Sequence, residues 1–145
     1  MRTLFTAAAL LVSATTSDAS APGRSYLCVA DQATGFKWQA DRWSAARFDP
    51  VPMKFLLRPI PPTSLDPLAT HGVYRMGDSA LHILCEPFPS AKDASLRCGY
   101  PGLSLLFVEG TMRFEYYFGV GYTAGGETEH SYTPHIAIGK CTVLD

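Results

Sequence analysis

The chain has 145 residues, 47% of them hydrophobic, and its 12 basic and 13 acidic side chains nearly cancel to a formal net charge of −1. That balance excludes the basic stripe of a nucleic-acid binder or of a protein drawn to an anionic membrane surface. The length suits one domain with a core of its own, not two.

Residues 1–19 read as an export signal: Arg2 supplies a short positive region, positions 4–12 an apolar one, and small residues continue to Ala21. The apolar run is too short to span a bilayer, which takes ~20 residues, and no later stretch is long and apolar enough to do so. Ala19-Ser20-Ala21 has the form of a cleavage motif, but Pro22 would then follow the cut, so cleavage is expected after Ala19. No cysteine stands near the signal, which argues against a lipid-anchored product. Residues 20–145 are expected to form a single exported domain, periplasmic or secreted.

From there on, short aromatic and β-branched runs are broken by glycine and proline, the pattern of an all-β domain. Strands are predicted over 25–30, 35–39, 54–58, 73–76, 81–85, 103–108, 112–118 and 135–141. Pro59-Ile60-Pro61-Pro62 reads as an exposed connector, because proline has no donor for a central strand. Residues 64–70 suit one or two helical turns, with Ser64 as cap and Gly72 as stop, and 90–96 suit another short helical piece. Gly77-Asp78 and Glu109-Gly110 read as hairpin turns. Gly125-Gly126 opens a mobile polar loop before the last strand.

All four cysteines, Cys28, Cys85, Cys98 and Cys141, lie beyond the signal, and an even count in an oxidising compartment reads as two disulfides. Of three pairings we expect Cys85–Cys98, close in sequence, and Cys28–Cys141, which would tie the two ends together. Alternation along the first and last strands permits this. If Leu27 and Val29, and likewise Ile136 and Ile138, face the core, both cysteines stand on the outer side of neighbouring strands. A first strand beside a last one is what a small antiparallel barrel, or a tightly wrapped sandwich, produces, and closure removes exposed edges. The sequence contains no asparagine and so no N-glycosylation acceptor.

The series Tyr26-x-Cys28-x-x-Asp31-x-Ala33-Thr34-Gly35-Phe36, then Trp43, Cys85, Cys98-Gly99, Arg113-Phe114, Gly121-Tyr122 and Thr133-Pro134-x-Ile136-x-Ile138-Gly139-Lys140-Cys141 resembles a group of small exported proteins from Proteobacteria. The likeness covers nearly all of the exported part. It implies an exported, disulfide-bearing domain and no particular chemistry. Relatives often carry a longer turn before the Arg-Phe pair, where this chain has Val108-Glu109-Gly110-Thr111.

Candidate chemistry is sparse. His130 and His135, with Glu127 and Glu129, offer zinc-type ligands, but Pro134 and the glycines before them give the set no rigid spacing, so a solvated polar loop is the stronger reading. His82 with Cys85 and Cys98 would suit a zinc knuckle in the cytosol; export favours the disulfide. No Gly-x-Ser-x-Gly elbow is present, and pairing leaves no thiolate to attack. Glu109 and Glu115, on neighbouring strands of one hairpin, could face each other as an acid/base pair, although solvated sheet residues look the same. Cys98-Gly99-Tyr100-Pro101-Gly102 reads as a turn, since neither a lysine nor a helix follows to hold phosphate.

The aromatic residues carry more. Phe114, Tyr116 and Phe118 share one face of a strand and read as core; Arg113, Glu115 and Tyr117 share the other; Trp38 and Trp43 flank a turn. Tyrosine and arginine are favoured binding anchors, so Arg113, Tyr117 and Tyr122 form a candidate recognition patch. The function expected from the sequence is non-catalytic: an envelope domain, without cofactor, that binds a protein or small ligand through loops and an aromatic surface. An envelope hydrolase or metal-dependent enzyme using the His130/His135 loop, and a structural envelope protein without a discrete site, are the alternatives. Small periplasmic barrels that inhibit lysozyme are comparable in size, but none of their motifs is present.

Overall fold

Strand β1 (Ser25–Gln39) runs past the end of the barrel it helps to build. In the computed structural model, whose described residues are 23–61, 66–88, 95–125, 127 and 133–144, its first half pairs with β3 (Lys54–Pro59) on one side and β9 (His135–Leu144) on the other. After a register shift between Ala30 and Gln32 its second half folds back on β2 (Arg42–Phe48). The wall continues in chain order through β4 (His71–Arg75), β5 (Leu81–Pro87), β6 (Ser95–Tyr100), β7 (Leu103–Val108) and β8 (Arg113–Phe118), each antiparallel to its neighbour. Pairing of β9 back onto β1 closes eight strands into an all-β antiparallel barrel, and β2 stays outside the ring as the return arm of a hairpin.

Both expected disulfides are present, and each joins residues directly opposite in a ladder: Cys28–Cys141 across β1 and β9, Cys85–Cys98 across β5 and β6. Their faces correct the sequence reading. Cys28 and Cys141 point into the barrel with Tyr26, Ala30 and Ala137, whereas Leu27, Val29 and Ile136 are only half-buried and Ile138 is 49% exposed. The reason is volume. Phe55, Phe114 and Tyr116 stack edge and face across the lumen, and the inner side of β1 and β9 has room only for small residues. A Cβ on Gly139 would strike the Val29 carbonyl oxygen and crowd the Phe114 ring. Four larger aliphatic residues on that face would overfill a core already at crystal-like density.

Other expectations change with the structure. Residues 35–39 belong to β1, and β2 was not foreseen. Cys98, Gly99 and Tyr100 end strand β6; only Pro101 and Gly102 turn. Pro59 closes β3 opposite His71. No helix forms over 66–70. Instead Asp66 Oδ1 accepts hydrogen bonds from the backbone N–H groups of Leu68 and Ala69, and Gly72 lies in β4. Glu109–Thr111 forms a 3-10 turn, completed by Met112 in left-handed conformation, and α1 (Val120–Thr123) is a single helical turn. Ser64, the 90–94 piece, Gly126 and the signal with its cut site lie outside the described residues, among which no helix is long and apolar enough to cross a membrane.

Candidate functional site

The hairpin arm sets the geometry of the main cleft. Ala40 and Asp41 both adopt positive φ, 50° and 56°, the twist that a two-residue turn needs to keep its strands paired. This brings Trp38 opposite Trp43, with ring centroids 5.6 Å apart in an edge contact. Alternation puts Phe36 and Thr34 on the same outer face. Thr34 lies opposite Ile136 of β9, and Ile136 opposite Tyr117 of β8, so the face runs unbroken from the arm onto the barrel wall.

Two glycines let the parts meet. Gly35 has no side chain where the Pro134 carbonyl and His135 backbone pass, and the Phe36 N–H donates to that carbonyl at 2.9 Å. Gly119 lies under the Tyr117 hydroxyl and starts α1, its N–H donating to the Gly102 carbonyl at 2.7 Å. α1 in turn delivers Tyr122, whose ring meets Trp43 edge-on at 5.7 Å. Between them lies a cleft of about 740 Å³ lined mainly by Phe36, Trp43, Tyr117, Tyr122, Pro134 and Ile136. Phe36, Tyr117 and Tyr122 are 52%, 42% and 61% exposed, an unusual amount of ring surface to leave in water.

Of the recognition patch expected from the sequence, the structure brings Tyr117 and Tyr122 together. Arg113 stands apart. It lies at the far end of the same face of β8, opposite Lys140, in a separate groove with Asp31 and Glu115. Phe36 escaped sequence reading, although its two-residue offset from Trp38 was the available signal.

His135 borders the cleft. Its Nδ1 lies 2.8 Å from the Thr133 carbonyl, to which it donates, and its ring packs against Phe48, Tyr116 and Phe118 at centroid distances of 5.6, 5.8 and 5.5 Å. Glu127 is exposed, and Glu129 and His130 lie outside the described residues. Among the described residues no three of His, Cys, Asp and Glu gather as a metal-binding group. Cys85 and Cys98 are joined to each other, so the zinc-knuckle set with His82 is not available.

The carboxylate pair also dissolves. Glu115 is opposite Leu106 and Ile138, whereas Glu109 sits in the 3-10 turn, accepting from the Tyr26 hydroxyl at 2.9 Å and pairing with Arg24 at 3.3 Å. Burial, reinforced by the Glu109 carboxylate, pushes the Tyr26 phenol up to about 12. Burial pushes the nearby His71 imidazole down; its Nε2 lies 3.1 Å from the Arg24 carbonyl. This cluster fastens the start of β1 to the barrel.

Fold and cleft together define a class: a small barrel stapled by two disulfides, with an aromatic cleft where a hairpin arm leaves its wall. No family model, curated protein or solved structure matches the chain.

Proposed function

We propose that the protein is a non-catalytic binding domain of the cell envelope, exported to the periplasm or secreted, which captures a protein or small ligand in the aromatic cleft. The carrying observation is the exposed Phe36, Tyr117 and Tyr122 rings, held by a hairpin, a strand and a helical turn that glycine contacts lock in place. Rigid aromatic anchors lose little entropy on binding and bury much area, which is why they dominate binding energetics. Two disulfides need an oxidising compartment to form and persist, in keeping with the signal-like residues 1–19 and with the resemblance to small exported proteobacterial proteins. Strands β3 to β8 hold five to seven residues, fewer than the ~9–11 of a membrane-crossing strand, and the lumen is apolar, where membrane barrels are polar inside.

The test is capture from envelope extract by wild type and by a Tyr117→Ala/Tyr122→Ala variant matched for unfolding midpoint. We expect one partner held by the wild type and bound about tenfold or more weakly by the variant. Equal retention by both removes the cleft from the function.

A further inference from the structure

Closing a barrel removes free sheet edges, but β2 is left out of the closure. It pairs with β1 alone, so one side of its backbone is bonded and the other is not. The ladder runs without a register shift over seven pairs, from Gln39–Arg42 at the turn to Ala33–Phe48. Which groups face outward follows from that turn. A two-residue loop is closed by a pair that exchanges both main-chain hydrogen bonds, and such pairs recur at every second position. Gln39–Arg42, Lys37–Ser44, Gly35–Ala46 and Ala33–Phe48 are therefore the bonded pairs. Two contacts outside the ladder agree. The Ala46 carbonyl also accepts from the Thr34 hydroxyl at 3.1 Å, and the Phe36 N–H, which belongs to the other set, turns away to the Pro134 carbonyl.

The N–H and C=O groups of Trp43, Ala45 and Arg47 thus point away from β1, and among the described residues no backbone bond reaches them. Neither a proline nor a bulge blunts this edge. The salt bridges among the described residues are Arg24–Glu109 and Arg97–Glu86, so neither arginine of β2 is committed to a carboxylate. The order of side chains selects the occupant. Laid antiparallel against a copy of itself in the one register that uses its whole length, Arg-Trp-Ser-Ala-Ala-Arg-Phe sets Trp43 opposite Arg47, Ser44 opposite Ala46 and Arg42 opposite Phe48. Each arginine faces a ring and none faces another arginine. The two-fold axis falls on Ala45, whose small side chain lets the strands approach. Arginine over an indole face is a favourable contact, and the symmetry makes it twice.

We propose that the hairpin arm is a dimerisation edge, by which two copies join antiparallel through β2, Ala45 against Ala45, independently of capture in the aromatic cleft. Trp43, Ala45 and Arg47 of each copy then exchange main-chain hydrogen bonds with Arg47, Ala45 and Trp43 of the other. The interface is isologous and closes after two copies. Trp43 lies opposite Trp38, Ala45 opposite Phe36 and Arg47 opposite Thr34, so the cleft face continues across the axis and Arg47 of the second copy reaches Trp43 at the cleft border. A single strand pair of this length buries less than the ~1,200 Å² of a standard interface, so the dimer forms and separates with concentration.

The test is sedimentation of the oxidised mature protein from about 1 µM to 1 mM, with amide exchange measured at both ends of that range. The wild type should pass from monomer to dimer. Exchange of the Trp43, Ala45 and Arg47 amides should slow with concentration, while that of Ser44 and Ala46, already bonded to β1, should not change. Association through side chains alone would not produce this alternation. Ala45→Pro removes an outward donor at the axis and no bond to β1; it should weaken dimerisation about tenfold or more, and Arg47→Ala about tenfold. Should the proline variant misfold, Arg47→Ala and the exchange pattern decide. The proposal is overturned by dimerisation that both variants leave intact, by outward amides already protected in the monomer, or by slowed exchange elsewhere in place of those three. It is equally overturned by a monomer throughout the range, including one whose outward amides slow only when an end-capped hexapeptide of alternating threonine and valine is added, which would make the edge a site for a foreign strand.

Discussion

Cys28 and Cys141 face each other across the β1–β9 ladder with Cα atoms 3.9 Å apart, and both are buried inside the barrel. The bridge therefore locks strands already paired at ten positions, while the Cys85–Cys98 bridge ends a ladder of three. Thermodynamic and local consequences should separate. Replacing Cys28 and Cys141 by alanine opens a span of 113 residues and should lower unfolding free energy by about 4 to 5 kcal/mol; replacing Cys85 and Cys98, 13 apart, by about 3. Urea unfolding checks both values. Only the second pair should also speed amide exchange selectively along β5 and β6, because the seam has little else to hold it.

The Ala40-Asp41 turn carries two residues in left-handed conformation without glycine, at about 1–2 kcal/mol each relative to ordinary backbone. Ala40→Asn with Asp41→Gly supplies the residues that such a turn favours. The pair should stabilise the protein by about 1 kcal/mol, read as a higher unfolding midpoint. The capture proposed for the cleft should be unchanged.

Gly119 and Gly139 respond differently to alanine. A Cβ at Gly119 meets the Tyr117 hydroxyl, the far end of a side chain that can swing aside; at Gly139 it meets the Val29 carbonyl and the Ala30 backbone. Gly119→Ala should leave stability within about 0.5 kcal/mol yet shift Trp43 fluorescence as the cleft reshapes. Gly139→Ala should cost about 1–3 kcal/mol by overpacking the strand contact.

Stability should fall at both ends of the pH scale. Folding raises the Tyr26 phenol from 10 to about 12, so its contribution is complete below pH 10 and is lost as pH rises toward 12, at most on the order of 2 kcal/mol. Folding lowers His71 and His82; their contribution is present above pH 6.5 and fades as pH falls below it, when the unfolded chain takes up protons the folded one refuses. Burial also pushes the Tyr116 phenol up, so Tyr26→Phe should reduce the alkaline limb of the curve without abolishing it and leave the acidic one, as measured by urea midpoints across pH.

Strand existence was legible in the sequence wherever bulky residues alternate, as in β7 and β8. It was not legible in β2, whose Ser44, Ala45 and Ala46 give no alternation, nor in β6, where Gly99 and Pro101 signal a turn just beyond a real strand. Cysteine pairing followed from sequence order and alternation, but alternation has two solutions. Which face of β1 turns inward depends on Phe55, Phe114 and Tyr116 arriving from other strands, information no single strand contains. The same holds for the cleft: Tyr117 and Tyr122 stood out by residue type, while the separation of Arg113 depends on which rim each end of β8 reaches.

Ser25 pairs with Leu144, so the polypeptide enters and leaves the barrel side by side on one rim. The hairpin arm and α1 lie on the other. A tether, fusion or surface attachment at either terminus would hold the molecule like a cup by its base, mouth outward. Reporter domains can thus be added at both ends at once without covering the opposite rim.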